Sequence, residues 1–162
     1  RYLWGAAKDA TVLDNGLMGH HHKLQQRGLV KGKEARAKVG EWIRQFGIKA
    51  GSIDGKVQNL SGGNLQKLIA AREFAHDAQF LIAAEPTRGV DIGAMELIHT
   101  ELIRKRDAGV GVLLVSSELT EILLLSDRIV VMYEGGIVGE LSANEATEEK
   151  ISLLMSGGKR QS

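Results

Sequence analysis

The chain has 162 residues, 43% of them apolar and 25% charged, with a formal net charge of +1. This is about one domain of ordinary soluble composition, long enough for a sizeable core, with no charge excess to attract nucleic acid or an anionic membrane. The absence of cysteine excludes disulfides and thiol chemistry, and no apolar run approaches the ~18 residues of a membrane-spanning helix. The N-terminus lacks the apolar core of a signal peptide. Residue 1 is arginine rather than methionine, so the expectation is a chain whose upstream part is missing.

Residues 1–30 carry mixed signals. The stretch ATVLDNGLMGHHHK joins a short apolar patch to Asn15-Gly16 and Gly19, which read as turns or a frayed helix. His20-His21-His22 is expected to be an exposed, solvated segment, since successive positions do not share a helical face. From Lys33 to Phe46, the residues Ala35, Val39, Trp42, Ile43 and Phe46 recur at helical spacing, with a basic, solvated face between them. Leu17 and Met18 join Trp42, Ile43 and Phe46 as candidate core.

The composition changes near Leu60. Asn64–His76 predicts an amphipathic helix entered through Ser61-Gly62-Gly63. Phe80–Ala84 predicts a strand buried on both faces, and GVLLVS from Gly111 predicts a second one. Helices are expected over Ile92–Arg106 and Leu119–Leu125. RIVVMYEGGIVGEL predicts a hairpin turning at Glu134-Gly135-Gly136, and a last helix starts near Thr147. Strands alternating with helices imply an α/β fold with parallel pairing and right-handed crossovers.

Two stretches carry chemistry. In LSGGN, two glycines before a helix let backbone approach a ligand, and first-turn amides favour an anion. Ser61 adds a hydroxyl and Asn64 an amide. An ordinary helix start fits the same residues. In FLIAAEPTRGVD, Glu85 follows the carboxyl end of a strand, where ligands of parallel sheets bind and a carboxylate can orient or deprotonate water. A salt-bridged acid is the alternative for Glu85, and a helix cap the alternative for Asp91.

Taken together, LSGGNLQK and the later EPTRGVD closely resemble the ATP-binding-cassette ATPases. LSGGNLQK resembles their signature motif, LIAAE their Walker B strand, and Gly89, Val90 and Asp91 their D-loop. VLLVSSEL resembles the strand that carries their switch histidine, and SDRIVVMYEGGIVGE the hairpin after it. The combination is similar to the second cassette of tandem importer subunits for simple sugars and nucleosides, with a lean toward nucleosides. No phosphate-binding G-x-x-x-x-G-K-[ST] is present. In IDGKV, the nearest approach, Ala50 and Val57 occupy two of its required positions.

The resemblance implies a partial P-loop NTPase fold. Residues 1–76 would form a helical subdomain with the signature motif, and residues 77–162 the C-terminal part of the α/β core. It implies ATP and Mg²⁺, bound mainly by elements outside this chain, with Ser61, Gly62, Gly63 and Asn64 covering ATP held by a partner cassette. It also implies integral-membrane permease subunits, an indirect solute-binding protein, no nucleic acid, and a place on the cytoplasmic face of the bacterial inner membrane. Leu17, Met18, Trp42, Ile43 and Phe46 read first as core of the helical part; the alternative reading is that some of them receive a permease helix. Two positions depart from the pattern: Ala84 replaces the Walker B aspartate, and Ser117 replaces the switch histidine. Glu85 remains as the catalytic candidate. The expectation is an asymmetric cassette, inactive alone, whose intact signature serves its neighbour. A regulatory nucleotide-binding module and a soluble ATPase unconnected with transport are the other readings.

Overall fold

The computed structural model describes residues 5–26 and 29–158, and these form two compact units. The first comprises the chain through Gln79 together with Pro86–Arg104; the second comprises Phe80–Glu85 and the chain from Lys105 onward.

The first unit is largely helical. Helix α1 (Val12–Leu17) starts in a capping box, with Thr11 and Asp14 bonding each other's backbone N–H. Asn15 and Gly16 lie inside this helix rather than in a turn. Asn15 is buried, with its amide exchanging hydrogen bonds with Ala7 N–H and C=O and also reaching Thr11 C=O. A Cβ on Gly16 would lie 2.9 Å from a Val39 methyl, so the glycine is a packing requirement of the α1–α2 contact. A short antiparallel ladder, β1 (Gln25–Gln26) with β2 (Leu29–Val30), leads into α2 (Gly32–Gln45). Helix α3 (Gly62–Phe74) packs on both α1 and α2, and Phe46 and Phe74 stack with centroids 6.3 Å apart. Leu17, Val39, Trp42, Leu65 and Leu68 are buried, as their helical spacing predicts; Met18 and Ile43 are half-buried. Helix α4 (Ile92–Asp107) contributes Ala94, Ile98 and Leu102.

The histidine run departs from expectation. His21 and His22 are exposed, but His20 is buried. Its ring stacks on His76 at 3.9 Å, tilts against Trp42, and donates from Nε2 to the Arg72 carbonyl at 2.9 Å. The tertiary fold brings that polar partner to His20, which is what makes its burial tolerable.

In the second unit, β3 (Phe80–Ala84) and β4 (Gly111–Val115) pair in parallel, with Ala84 opposite Val115. Helix α5 (Leu119–Leu125) follows, then the hairpin β5 (Arg128–Tyr133) and β6 (Gly136–Ser142), then α6 (Glu148–Met155) capped by Thr147. Ile129, Val131, Leu141, Ile151 and Leu154 form its core. Two expectations are corrected. β5 pairs only with β6, so the parallel sheet has two strands among the described residues. Nor are β3 and β4 buried on both faces: Phe80, Ile82, Leu113 and Val115 lie between 48% and 63% exposed. Alternation puts these four on one face of the pair, and no described element of the chain covers it.

Candidate functional site

The first cluster belongs to the helical unit. Ser61 caps α3, its Oγ accepting from the Asn64 backbone N–H at 3.3 Å and from Asn64 Nδ2 at 2.9 Å. Asn64 Oδ1 in turn accepts from Lys49 N–H at 2.8 Å, which pins the turn to the preceding loop. The helix ladder begins with Leu65 N–H donating to the Ser61 carbonyl, so the Gly62 and Gly63 amides come before it. Ser61 and Gly62 are exposed, and Gly63 and Asn64 half-buried. The Ser61 hydroxyl and the Gly63 amide are grouped at the positive end of a 13-residue helix, a geometry that suits an anion.

Packed against this turn is the loop that follows Glu85. Pro86 and Thr87 are buried, Val90 N–H closes a turn onto Thr87 C=O, and Gly89 sits at φ 69°. A Cβ on Gly63 would come within 3.1 Å of the Gly89 carbonyl. Gly63 is therefore required by its own chain as well as by any ligand. Asp91 is exposed and caps α4, with Oδ1 accepting from Ala94 N–H at 2.9 Å. Its Oδ2 pairs with Lys67 Nζ at 2.7 Å. The hydrogen bond from Lys67, then that from Ala94, holds the Asp91 carboxyl below the usual carboxylate range. Lys67 lies within LSGGNLQK, yet sequence reasoning assigned it no partner. A lysine on the buried side of an amphipathic helix was the available signal.

The second cluster belongs to the α/β unit. Glu85 ends β3 in the left-handed region at φ 46°, uncommon for a non-glycine residue, and its N–H donates to Val115 C=O at 2.7 Å. Its carboxylate accepts from Ser117 N–H at 2.9 Å and from Ser117 Oγ at 3.3 Å. Ala84 ends the same strand with a methyl group. The fold thus joins Glu85 to Ser117, two positions that the sequence marked separately. These residues alone do not make a Mg²⁺ site: the Ala84 side chain offers no oxygen, which leaves Glu85 as the one carboxylate of the cluster, already accepting two hydrogen bonds from Ser117. Among the described residues no group of three or more metal-ligating side chains assembles. The donors of the Ser61–Asn64 turn, by contrast, suit the phosphates of a nucleotide.

The fold is shared with solved ATP-binding cassettes. The dimeric structure of MJ0796, a bacterial ABC transporter cassette, superposes with a TM-score of 0.74 at 23% identity, over 88% of this chain and 61% of that one. The post-hydrolysis dimer of the same cassette with ADP and Pi gives 0.73 at 24% identity, over 85% and 59%. In sequence, the chain is 45% identical over 153 residues to the ribose import ATP-binding protein RbsA 2 of Rhizobium meliloti, covering 94% of this chain and 30% of that protein. It is 39% identical to the guanosine import ATP-binding protein NupO of Bacillus subtilis, over 99% of this chain and 32% of that one. Against the glucose import ATP-binding protein TsgD13 of Haloferax volcanii it is 40% identical, over 98% and 30%. The chain is a homologue of the ATP-binding-cassette proteins of sugar and nucleoside import, and spans about a third of the length of these curated relatives. No family model matches it. Among the described residues no helix is long and apolar enough to cross a membrane.

Proposed function

We propose that the chain is part of the ATP-hydrolysing subunit of a bacterial importer for nucleosides or simple sugars, and that its main catalytic contribution is made to a nucleotide bound by a second cassette. The observation that carries this reading is the contrast between the two clusters. The Ser61–Asn64 turn sets a hydroxyl and first-turn backbone at a helix N-terminus, whereas the end of β3 carries a methyl group at Ala84 and holds the Glu85 carboxylate against Ser117. In this reading, the Ser61 hydroxyl and the Gly62 and Gly63 amides donate to the γ-phosphate of ATP, stabilising charge that develops during phosphoryl transfer. Mg²⁺, when bound, neutralises phosphate charge; the proposal places its ligands outside this chain. Glu85 is the one residue here able to orient or deprotonate water, and Asp91 is its D-loop acid.

The open apolar face of β3 and β4 supports a companion point: further cassette elements, including the phosphate-binding loop, pack there. Permease subunits would hold the assembly at the cytoplasmic face of the inner membrane. The domain division follows the same reading, with residues 1–76 as helical subdomain and 77–162 as part of the α/β core.

The test is a chimera in which this chain replaces its homologous third of the Rhizobium RbsA 2 protein, assayed for ATP hydrolysis and ribose import. Import is expected, with Ser61→Arg abolishing it and Glu85→Gln reducing it only partly. Loss with Glu85→Gln but not with Ser61→Arg would reverse the asymmetry. The Ser117-held Glu85 also favours a second reading, a regulatory nucleotide-binding module. A chimera that binds ATP without hydrolysing it selects that reading.

A further inference from the structure

Three contacts tie one face of α3 to the loop after β3. Gly63 meets the Gly89 carbonyl so closely that no Cβ fits without a shift. Gln66 Nε2 donates to the Pro86 carbonyl at 3.1 Å. Lys67 Nζ pairs with Asp91 Oδ2 at 2.7 Å. Positions i, i+3 and i+4 share a helical face, so the three contacts form one seam that runs the length of the loop.

The ion pair is not an ordinary surface bridge. Exposed pairs contribute little, but here only the Asp91 carboxylate is exposed, at 65%, while the Lys67 side chain is 10% exposed. An ammonium so placed is rarely left without a partner. Asp91 spends its other oxygen on the α4 cap. One carboxylate at the end of the loop thus joins the second turn of α3 to the start of α4.

We infer that Lys67 is a positioning residue that, with Gly63 and Gln66, locks the Pro86–Asp91 loop to the Ser61–Asn64 turn as a single nucleotide-facing block. Asp91 then acts inside its own chain, on Lys67 and on the α4 cap. Only the catalytic consequence of this lock rests on the function proposed above. A nucleotide that orders the turn also orders the loop, because neither moves without breaking the ion pair of the buried Lys67 with Asp91.

The physical claim is tested on the 162-residue chain by amide hydrogen exchange, with no nucleotide. The reporters are hydrogen-bonded amides of the turn (Asn64, Leu65) on one side, and of the loop (Val90) and the α4 cap (Ala94) on the other. In Lys67→Met, both sets should lose protection together, by roughly tenfold, while hairpin amides of β5 and β6 stay unchanged. Lys67→Arg should restore both. Asp91→Asn, which keeps the cap but not the charge, should reproduce Lys67→Met and serves if that variant fails to fold. Exchange that rises in the loop alone, or stays at the wild-type rate, overturns the inference. So does an Arg variant that behaves like Met. In the chimera, Lys67→Met should lower kcat about tenfold and leave the KM for ATP within about twofold. A chimera without any hydrolysis defeats the functional reading and leaves the exchange result standing.

Discussion

Ser117 donates twice to the carboxylate of Glu85, from its backbone N–H at 2.9 Å and its hydroxyl at 3.3 Å. The pairing spans 32 residues of sequence and exists because β4 lies parallel to β3, with Val115 opposite Ala84. The backbone donor survives any side-chain change except proline. Ser117→Ala should therefore cost no more than about 1 kcal/mol in urea denaturation. Ser117→Pro, which deletes the shorter bond, should cost more. Equal losses from the two substitutions would show that the hydroxyl is the main anchor of Glu85.

Ser61 has a structural and a chemical role, and two substitutions separate them. Ser61→Ala deletes the α3 cap and should destabilise the chain by about 1 kcal/mol. Ser61→Asp retains a capping oxygen at a helix N-terminus and should hold stability near wild type. In the chimera its negative charge would oppose phosphate, so hydrolysis should fall even though the fold is kept. Full activity in Ser61→Asp would separate this turn from nucleotide recognition.

The Asp91 carboxyl lies below its ordinary range because Lys67, then Ala94, bonds its charged form. Since its folded pKa is lowered, its contribution is complete above the ordinary carboxylate range and disappears as pH falls through the lowered value. Carboxyl NMR should show Asp91 titrating late on acidification in the wild type and closer to an ordinary aspartate in Lys67→Met. Identical titration in the two proteins would mean that the ion pair contributes nothing to holding the charge.

Gly16 tests packing against propensity. Alanine is the better helix former by about 1 kcal/mol, yet its Cβ would meet the Val39 methyls at 2.9 and 3.0 Å. Overpacking of this kind costs about 1–3 kcal/mol, so Gly16→Ala should destabilise the chain despite its propensity. In a double-mutant cycle with Val39→Ala, the coupling should favour the double variant by about 1 kcal/mol. Additive effects would place the cost elsewhere.

Where periodicity was strong, the elements lie where the sequence puts them. Phe80–Ala84 and Leu119–Leu125 have the expected bounds, and the hairpin turns over Glu134 and Gly135, both at positive φ. Local chemistry is enough there, since alternation, helical spacing and turn residues act within a few positions of each other. The Ser61 cap and the Asp91 cap are local in the same sense, reaching only three residues ahead.

Long-range partners were not legible. Asn15-Gly16 reads as a turn or a frayed helix, and only the Ala7 bonds to the amide and Val39 beside the glycine decide for the helix. His20 reads as solvated until His76 stacks on it, from a helix end that the intervening chain folds back. The apolar face of β3 reads as buried because composition records that a residue is apolar, not whether anything lies over it.

Sequence by itself determined the opening features: LSGGNLQK as a glycine-entered helix, FLIAAEPTRGVD as a strand running into a loop, and an alanine and a serine at positions 84 and 117. Tertiary structure decided what each of them touches. It turned Ser117 toward Glu85, set Gly63 against Gly89, and gave Lys67 to Asp91. Propensity and spacing are properties of neighbours along the chain, whereas a hydrogen bond or an ion pair needs atoms within about 3 Å in space, a condition met only once the whole chain has folded.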